Sequence, residues 1–290
     1  MRLLAFCGAL LLLPAIVFAA DAPKRYQGDQ ALIEDTVWDG EVLIDGILTV
    51  AAGVTLEIRP GSTIRFTRFD SNNDGIGEHE IFAQGTIRAL GTAQQPILFS
   101  SAEATPQPGD WGAVNMMVSA EPNQLQHCTV EYGYRGFHAH FSQARLDNSL
   151  FRYNVRGAQF QESQVVIEHC RFLNNGNGVQ FRDSKVSLNR VEIRGGRWGL
   201  RCVYSELDMT GCLISDNLIN GVNVRDGKLT ARGNRIIGNR RGLYLQRSEG
   251  RVIGNELSDN SEHGIFLEDS TFDIVDNRMS GNGRAGVRWL

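Results

Sequence analysis

A glycine followed by an apolar residue recurs through the second half of this chain, at Gly136-Phe137, Gly157-Ala158, Gly178-Val179, Gly199-Leu200, Gly221-Val222, Gly242-Leu243, Gly264-Ile265 and Gly286-Val287. The steps between these glycines are 21, 21, 21, 22, 21, 22 and 22. A fixed short period constrains the fold more than any other feature of the chain. One such unit cannot bury a core alone, so it must stack on copies of itself as a solenoid.

Counting forward from each glycine gives aligned columns. The first reads Phe137, Ala158, Val179, Leu200, Val222, Leu243, Ile265, Val287, and the third reads Ala139, Phe160, Phe181, Cys202, Val224, Leu245, Leu267, Trp289. Between them lies a mostly polar column, His138, Gln159, Gln180, Arg201, Asn223, Tyr244, Phe266, Arg288. Alternation with a period of two predicts a short strand with one buried face. Inward columns at the eighth and tenth positions (Val165 and Ile167, Leu207 and Met209) predict a second strand, and the fifteenth (Phe151, Phe172, Ile193, Ile214) a third. Three short strands per turn, each stacked on its equivalent, make a parallel β-helix. The unit length of 21–22 residues suits the right-handed single-stranded form, an all-β solenoid.

The turns carry columns of their own. Position eighteen is Asn154, Asn175, Gly196, Asn217, Asn239, Asn260, Asn282, and position six is Ser142, Ser163, Ser184, Ser205, Gly227, Ser248, Ser270. Asn and Ser bond turn backbone, and stacked Asn side chains bond one another. The serines have no partner histidine, so they read as turn residues and not nucleophiles. Cys128 and Cys170 share the thirteenth column two coils apart, roughly 9–10 Å at ordinary strand spacing, which exceeds disulfide reach. Cys202 and Cys212 fall on different walls. All four are expected to be reduced, buried fillers.

Residues 38–114 are strand-rich with a less regular period. They include Gly53-Val-Thr-Leu-Glu-Ile-Arg-Pro-Gly61, Gly85-Thr-Ile-Arg-Ala-Leu-Gly-Thr92 and Pro108-Gly-Asp-Trp-Gly112. With the Asn and Gly columns, these segments resemble the opening coils of secreted bacterial right-handed parallel β-helix proteins of the pectin-lyase-like superfamily. The resemblance covers nearly all of the chain after residue 20. It implies the fold, and it leaves activity open among lyases, hydrolases, epimerases, adhesins and members without a known reaction. Residues 21–290 are therefore expected to form one solenoid domain, irregular over 38–114 and regular over 115–290.

Residues 1–20 read as a signal peptide: Met1-Arg2, an apolar run from Leu3 to Phe18, and the small pair Ala19-Ala20. Export to a periplasm or cell surface follows, with no transmembrane segment after removal. A net charge of −4 gives no footprint for nucleic acid. Only Lys24, Lys185 and Lys228 are lysines, so 26 of the 29 basic residues are arginine. That bias fits long stems covering solenoid walls or, alternatively, anion recognition. The last coil stops at Trp289-Leu290, which leaves Ile274 and Met279 at an open sheet end and suggests self-association or partner docking there.

Three constellations can carry chemistry. Asp70, Asn72 and Asp74, with Gly75 next, match the first half of a calcium loop, Ile76 supplying a carbonyl; Ile81 stands where such a loop has its bidentate acid, so Glu78 or Glu80 must substitute. His138 and His140 share one strand face and can chelate a transition metal with Glu162. The outer face of the strand after each glycine carries Arg182, Arg201, Arg225, Tyr244 and Phe266, a mixture that binds sugars by stacking and forked polar contacts. Glu162, Asp183 and Asp226 at its border are spaced like glycosidase carboxylate pairs.

The first expectation is an exported non-catalytic β-helix that binds glycan or cell-envelope material along one wall. The alternatives are a polysaccharide lyase, hydrolase or epimerase, and a periplasmic assembly factor for a metal centre. Calcium is the only cofactor expected.

Overall fold

The computed structural model describes residues 22–119 and 121–290; the expected signal peptide lies outside them. Among the described residues there are 35 strands and no helix, arranged in three parallel sheets of twelve, twelve and eleven strands. Each turn of chain gives one strand to each sheet in order, so every strand pairs with its equivalents in the turns before and after. The registers follow the sequence columns. Phe137 lies beside Ala158, then Val179, Leu200, Val222, Leu243, Ile265 and Val287 along the second sheet. These side chains point inward and stack into one continuous core with the inward columns of the other two sheets. Phe151 and Phe172 stack with ring centroids 4.7 Å apart, and Phe66 on Trp111 at 4.2 Å.

The repeated glycine has a steric cause. A Cβ on Gly157 would stand 2.6 Å from the Gly178 carbonyl oxygen, and every glycine from Gly136 to Gly264 meets the next coil's glycine carbonyl closer than 3.0 Å. No side chain fits between coils at this position, so the repeat is legible as a glycine column.

Each coil turns at three corners, and from His127 onward each corner places a residue in the left-handed region. Between the second and third sheets the left-handed residues are Phe141, Glu162, Asp183, Tyr204, Asp226, Arg247 and Asp269, with φ from 43° to 52°. The serine that follows links coils: Ser163 Oγ accepts from the Ser142 backbone N–H at 3.1 Å and donates to the Gln161 carbonyl at 2.7 Å. Between the first and second sheets, Asn239 Oδ1 accepts from the backbone and side-chain N–H groups of Asn217, and its Nδ2 donates to Asn260 and to the Ile214 and Ile237 carbonyls. Between the third and first sheets, Asn234, Asn255 and Asn277 form a second ladder of the same kind. Earlier in the column Cys128, Ser149, Cys170, Val191 and Cys212 occupy the asparagine's place. Cys212 takes its backbone bond to Asn234 Oδ1 at 2.9 Å, while its thiol faces the Leu188 and Thr210 carbonyls. All four described cysteines are free and buried. Burial raises each thiol well above its ordinary range, Cys212 to about 11 and Cys170 to about 12.

The sheets begin earlier than the sequence reading placed them. Strands Lys24–Gln27, Gln30–Leu32 and Thr36–Trp38 already form a coil, because Tyr26, Leu32 and Trp38 turn inward and Trp38 Nε1 donates to Tyr26 Oη at 2.9 Å. The irregular period before residue 115 comes from loops 67–79 and 102–110, both inserted between a first-sheet strand and the next second-sheet strand. They brace each other through Gly77 N–H on the Gly109 carbonyl at 2.7 Å, and strands on either side keep register. At the far end Ile274, Met279 and Val287 are only partly buried against the core.

Candidate site on the outward face of the second sheet

The second sheet turns one face to the core and the other outward, so alternate residues of its strands share an external wall. Arg182, Arg201, Arg225, Tyr244 and Phe266 all stand on that wall, as their pairing registers require. The residue before each glycine joins them. Arg135, Arg156, Asn177 and Trp198 are neighbours in one row, and Asn220, Arg241 and His263 continue it.

Aromatic and guanidinium groups pair along this face. Arg201 lies over the Trp198 ring at 4.9 Å, and Arg241 over both Tyr244 and Phe266 at 4.8 and 5.0 Å. Tyr244 meets Phe266 edge-on at 5.3 Å and donates to Glu268 at 2.9 Å. Burial and that carboxylate raise the phenol above its usual range. Arg182 is paired to Asp183 at 2.8 Å and Arg241 to Glu262 at 2.8 Å.

Nearer the N-terminal coils the wall holds a buried polar cluster. Glu80, from the strand Glu80–Ala83, receives Asn115 Nδ2 at 3.3 Å, and Asn115 Oδ1 accepts from His138 Nδ1 at 2.8 Å. Burial pushes the Glu80 carboxyl up to about 7. Burial, with the charge of Arg135, pulls His138 down to about 4. Beneath the exposed groups, His138 Nε2, Asn220 Oδ1 and His263 Nδ1 are buried without a hydrogen-bond partner among the described residues. Such atoms are uncommon and call for a cause.

The carboxylates Glu162, Asp183 and Asp226 occupy the left-handed corner beside the wall. They line an open groove of about 1050 Å³ floored by the serine ladder. Each has a basic neighbour: His140 on Glu162 at 2.8 Å, Arg182 on Asp183 at 2.8 Å, and Arg247 on Asp226 through two bonds at 2.6 and 3.0 Å. Arg247 holds Asp226 below the usual carboxylate range. His140 thus meets Glu162 as the spacing suggested, whereas His138 turns away to Asn115.

In the 67–79 loop, Asp70 and Asn72 oxygens accept from the backbone N–H of Asp74, Asp70 from Gly75, and Asp74 from Ile76. Glu78 is held by Ser71. Glu80 belongs to the wall instead, so the structure gathers Asp70, Asn72, Asp74, Ile76 and Glu78 but not Glu80. Among the described residues, no three His, Cys, Asp or Glu side chains are grouped to hold a metal ion.

The sequence reading missed Arg135, Arg156, Trp198, Arg241 and the Glu80–Asn115–His138 cluster. For the three arginines and Trp198 the signal was present one position before each glycine, a column that counting forward from glycine skips.

The sequence matches the family described as right handed beta helix region over residues 109–227 and 161–289. The chain belongs to the right-handed parallel β-helix proteins. Residues 31–162 of this β-helix protein also match the pectate-lyase like beta helix domain. A search of curated sequences found no match. Similar solved structures include the periplasmic alginate epimerase AlgG, at 12% identity over 82% of this chain and 77% of that one, TM-score 0.46. Others are the Azotobacter vinelandii mannuronan C-5 epimerase AlgE4 A-module, at 13% over 92% and 86% with TM-score 0.44, and the Streptococcus pneumoniae surface adhesin PfbA, at 11% over 90% and 85% with TM-score 0.47. These likenesses carry nothing about what this β-helix binds or does. Among the described residues no helix is long and apolar enough to cross a membrane.

Proposed function

We propose that this is an exported, non-catalytic β-helix protein that binds an extended glycan, or cell-envelope material built on one, along the outward face of the second sheet. The observation that carries the reading is the set of guanidinium–aromatic stacks on that face, Trp198 with Arg201 and Tyr244 and Phe266 with Arg241. Sugar rings pack on aromatic faces, and guanidinium forks bond hydroxyl and carboxylate oxygens. Arg182 and Arg225 extend the same wall. The amino-terminal sequence supports export.

A screen of the purified protein against neutral and acidic polysaccharides tests this, read by binding. A Tyr244→Ala, Phe266→Ala variant should lose most of the affinity with little change in melting temperature. Unchanged affinity would move the site to another wall.

One observation favours catalysis as a second reading. Glu80 and His138 share Asn115, and their environments move their pKa values in opposite directions, which is how acid and base pairs are set. New reducing or unsaturated ends in the same screen would select the enzyme.

A further inference from the structure

The Tyr244 and Phe266 rings are tied to a residue that stands off the wall, in the corner beside it. That corner is longer than the equivalent one a coil earlier: Asn260 and His263 enclose Ser261 and Glu262, whereas Asn239 and Arg241 enclose Arg240 alone. The strands keep register across the difference, with Arg241 beside His263 and Tyr244 beside Phe266. The added residue is therefore taken up in the corner. Two other corners are lengthened in the same way, at Leu218-Ile219 and Gly283-Arg284, and neither carries a carboxylate.

Glu262 is buried, at 9% exposed, and both of its oxygens are engaged. Oε1 accepts from Arg240 Nε at 3.1 Å and Oε2 from Arg241 Nε at 2.8 Å. Arg284 of the next coil stands 3.8 Å away. Burial would raise this carboxyl, but the hydrogen bonds from Arg240 and Arg241 outweigh it and hold it below the usual carboxylate range. Among the described residues Glu262 is the one hydrogen-bond partner of the Arg241 side chain. The neighbours of Arg241 in its row do not hold it, since Asn220 Oδ1 and His263 Nδ1 are buried without a hydrogen-bond partner among those residues. From this anchor the guanidinium reaches both rings, 4.8 Å from the centre of Tyr244 and 5.0 Å from that of Phe266. One cation shared by two rings couples their orientations, because a ring that turns away loses the contact. Glu268 fixes Tyr244 a second time, through its hydroxyl at 2.9 Å. Phe266 has no polar atom to anchor, so the guanidinium and the neighbouring rings orient it.

We propose that Glu262 is the positioning residue of this end of the wall: it holds Arg241 across Tyr244 and Phe266 and so presets the ring pair on which an uncharged sugar packs. The proposal rests on the glycan-binding reading and adds a residue and a ligand class to it. With Arg241 paired to Glu262 and the Tyr244 hydroxyl to Glu268, the pair offers ring surface and no unpaired charge. A ligand that packs on rings already ordered does not have to order them.

Isothermal titration of cello-oligosaccharides onto the wild type, Glu262→Ala, Glu262→Gln, Arg241→Ala and the Arg241→Ala, Glu262→Ala double variant tests this, beside ligand-free NMR of the arginine Nε–H groups. Glu262→Ala should weaken binding about fivefold, the scale of one net hydrogen bond. In the Arg241→Ala background the same change should cost nothing more, because a residue that acts through Arg241 has no route left. Glu262→Gln still offers an acceptor to Arg241 Nε and should lose less than Glu262→Ala. The Arg241 signal, assigned by its loss in Arg241→Ala, should show contacts to both rings in the wild type and lose them in Glu262→Ala. Unchanged affinity in Glu262→Ala, additive losses in the double variant, or equal losses in the glutamine and alanine variants overturn the positioning role and leave glycan binding standing. If no oligomer binds, the glycan-binding reading fails. The positioning role then stands if the ring contacts vanish in Glu262→Ala and falls if they persist.

Discussion

Asn239 shows how much one turn residue does in this fold. Its buried amide makes five side-chain hydrogen bonds, to Asn217, Asn260 and two strand carbonyls. Asn239→Leu strands several of those partners away from water, and at ~1–3 kcal/mol for an unpaired buried group the total loss should be about 2–4 kcal/mol. Coincident melting curves for variant and wild type would show the ladder to be decorative. Glu80 and His138 give a second test at this scale, with signs that oppose. Glu80 titrates higher folded than unfolded, so between pH 4.5 and about 7 the folded state holds the extra proton and stability falls as pH rises. His138 titrates lower folded, so between about pH 4 and 6.5 the unfolded state holds the extra proton and stability rises with pH. In the shared window the two slopes nearly cancel in the wild type. Denaturant melts of Glu80→Gln should show stability rising with pH there, and of His138→Gln falling, each by about 1 kcal/mol per unit. Parallel profiles in the two variants would disprove the linkage.

At the scale of strands and corners, the inward columns were legible because burial selects side chains by polarity at fixed spacing. The asparagine and serine columns were legible because one side chain does one bonding task in coil after coil. The left-handed corners were not, since Phe141, Tyr204, Asp226 and Arg247 share a backbone conformation and no side-chain chemistry. The wall was legible only in part. Arg201 and Tyr244 fall on a column counted forward from glycine, but Arg135, Arg156 and Trp198 precede it, and Glu80 follows an insertion that breaks the period. The 67–79 loop was legible as an acidic turn, and the proposed calcium there meets a physical cost. Asp70 and Asp74 already accept from the loop's own N–H groups, so an ion must displace those bonds. Calorimetric titration should give a dissociation constant in the weak range of extracellular modules, about 10⁻³ M. Asp70→Ala should both abolish the heat and lower the melting temperature in calcium-free buffer. No heat in the wild type would leave the carboxylates with the structural role alone.

Across the whole molecule, the candidate wall is a ruler. The coils carrying Arg135 through His263 are seven in sequence, and six steps at the ordinary strand spacing make about 29 Å. Each coil presents its outward residues at equivalent places, so a chain lying along the axis meets one set of contacts after another. The spacing is comparable to one sugar residue of an extended polymer. The affinity of an oligomer series should therefore rise with each added unit up to about six or seven, then level off once the chain overhangs the wall. The middle of the wall and its C-terminal end should contribute differently. Arg182→Ala with Arg225→Ala should weaken long oligomers and reduce the salt sensitivity of binding, because exposed charge contacts are screened. The aromatic pair Tyr244 and Phe266 should set the salt-insensitive remainder. Titrating oligomers of two to ten units at low and high ionic strength separates these contributions. Affinity that saturates at two units would mean a single pocket and no ruler, and the equivalence of successive coils would then have no part in recognition.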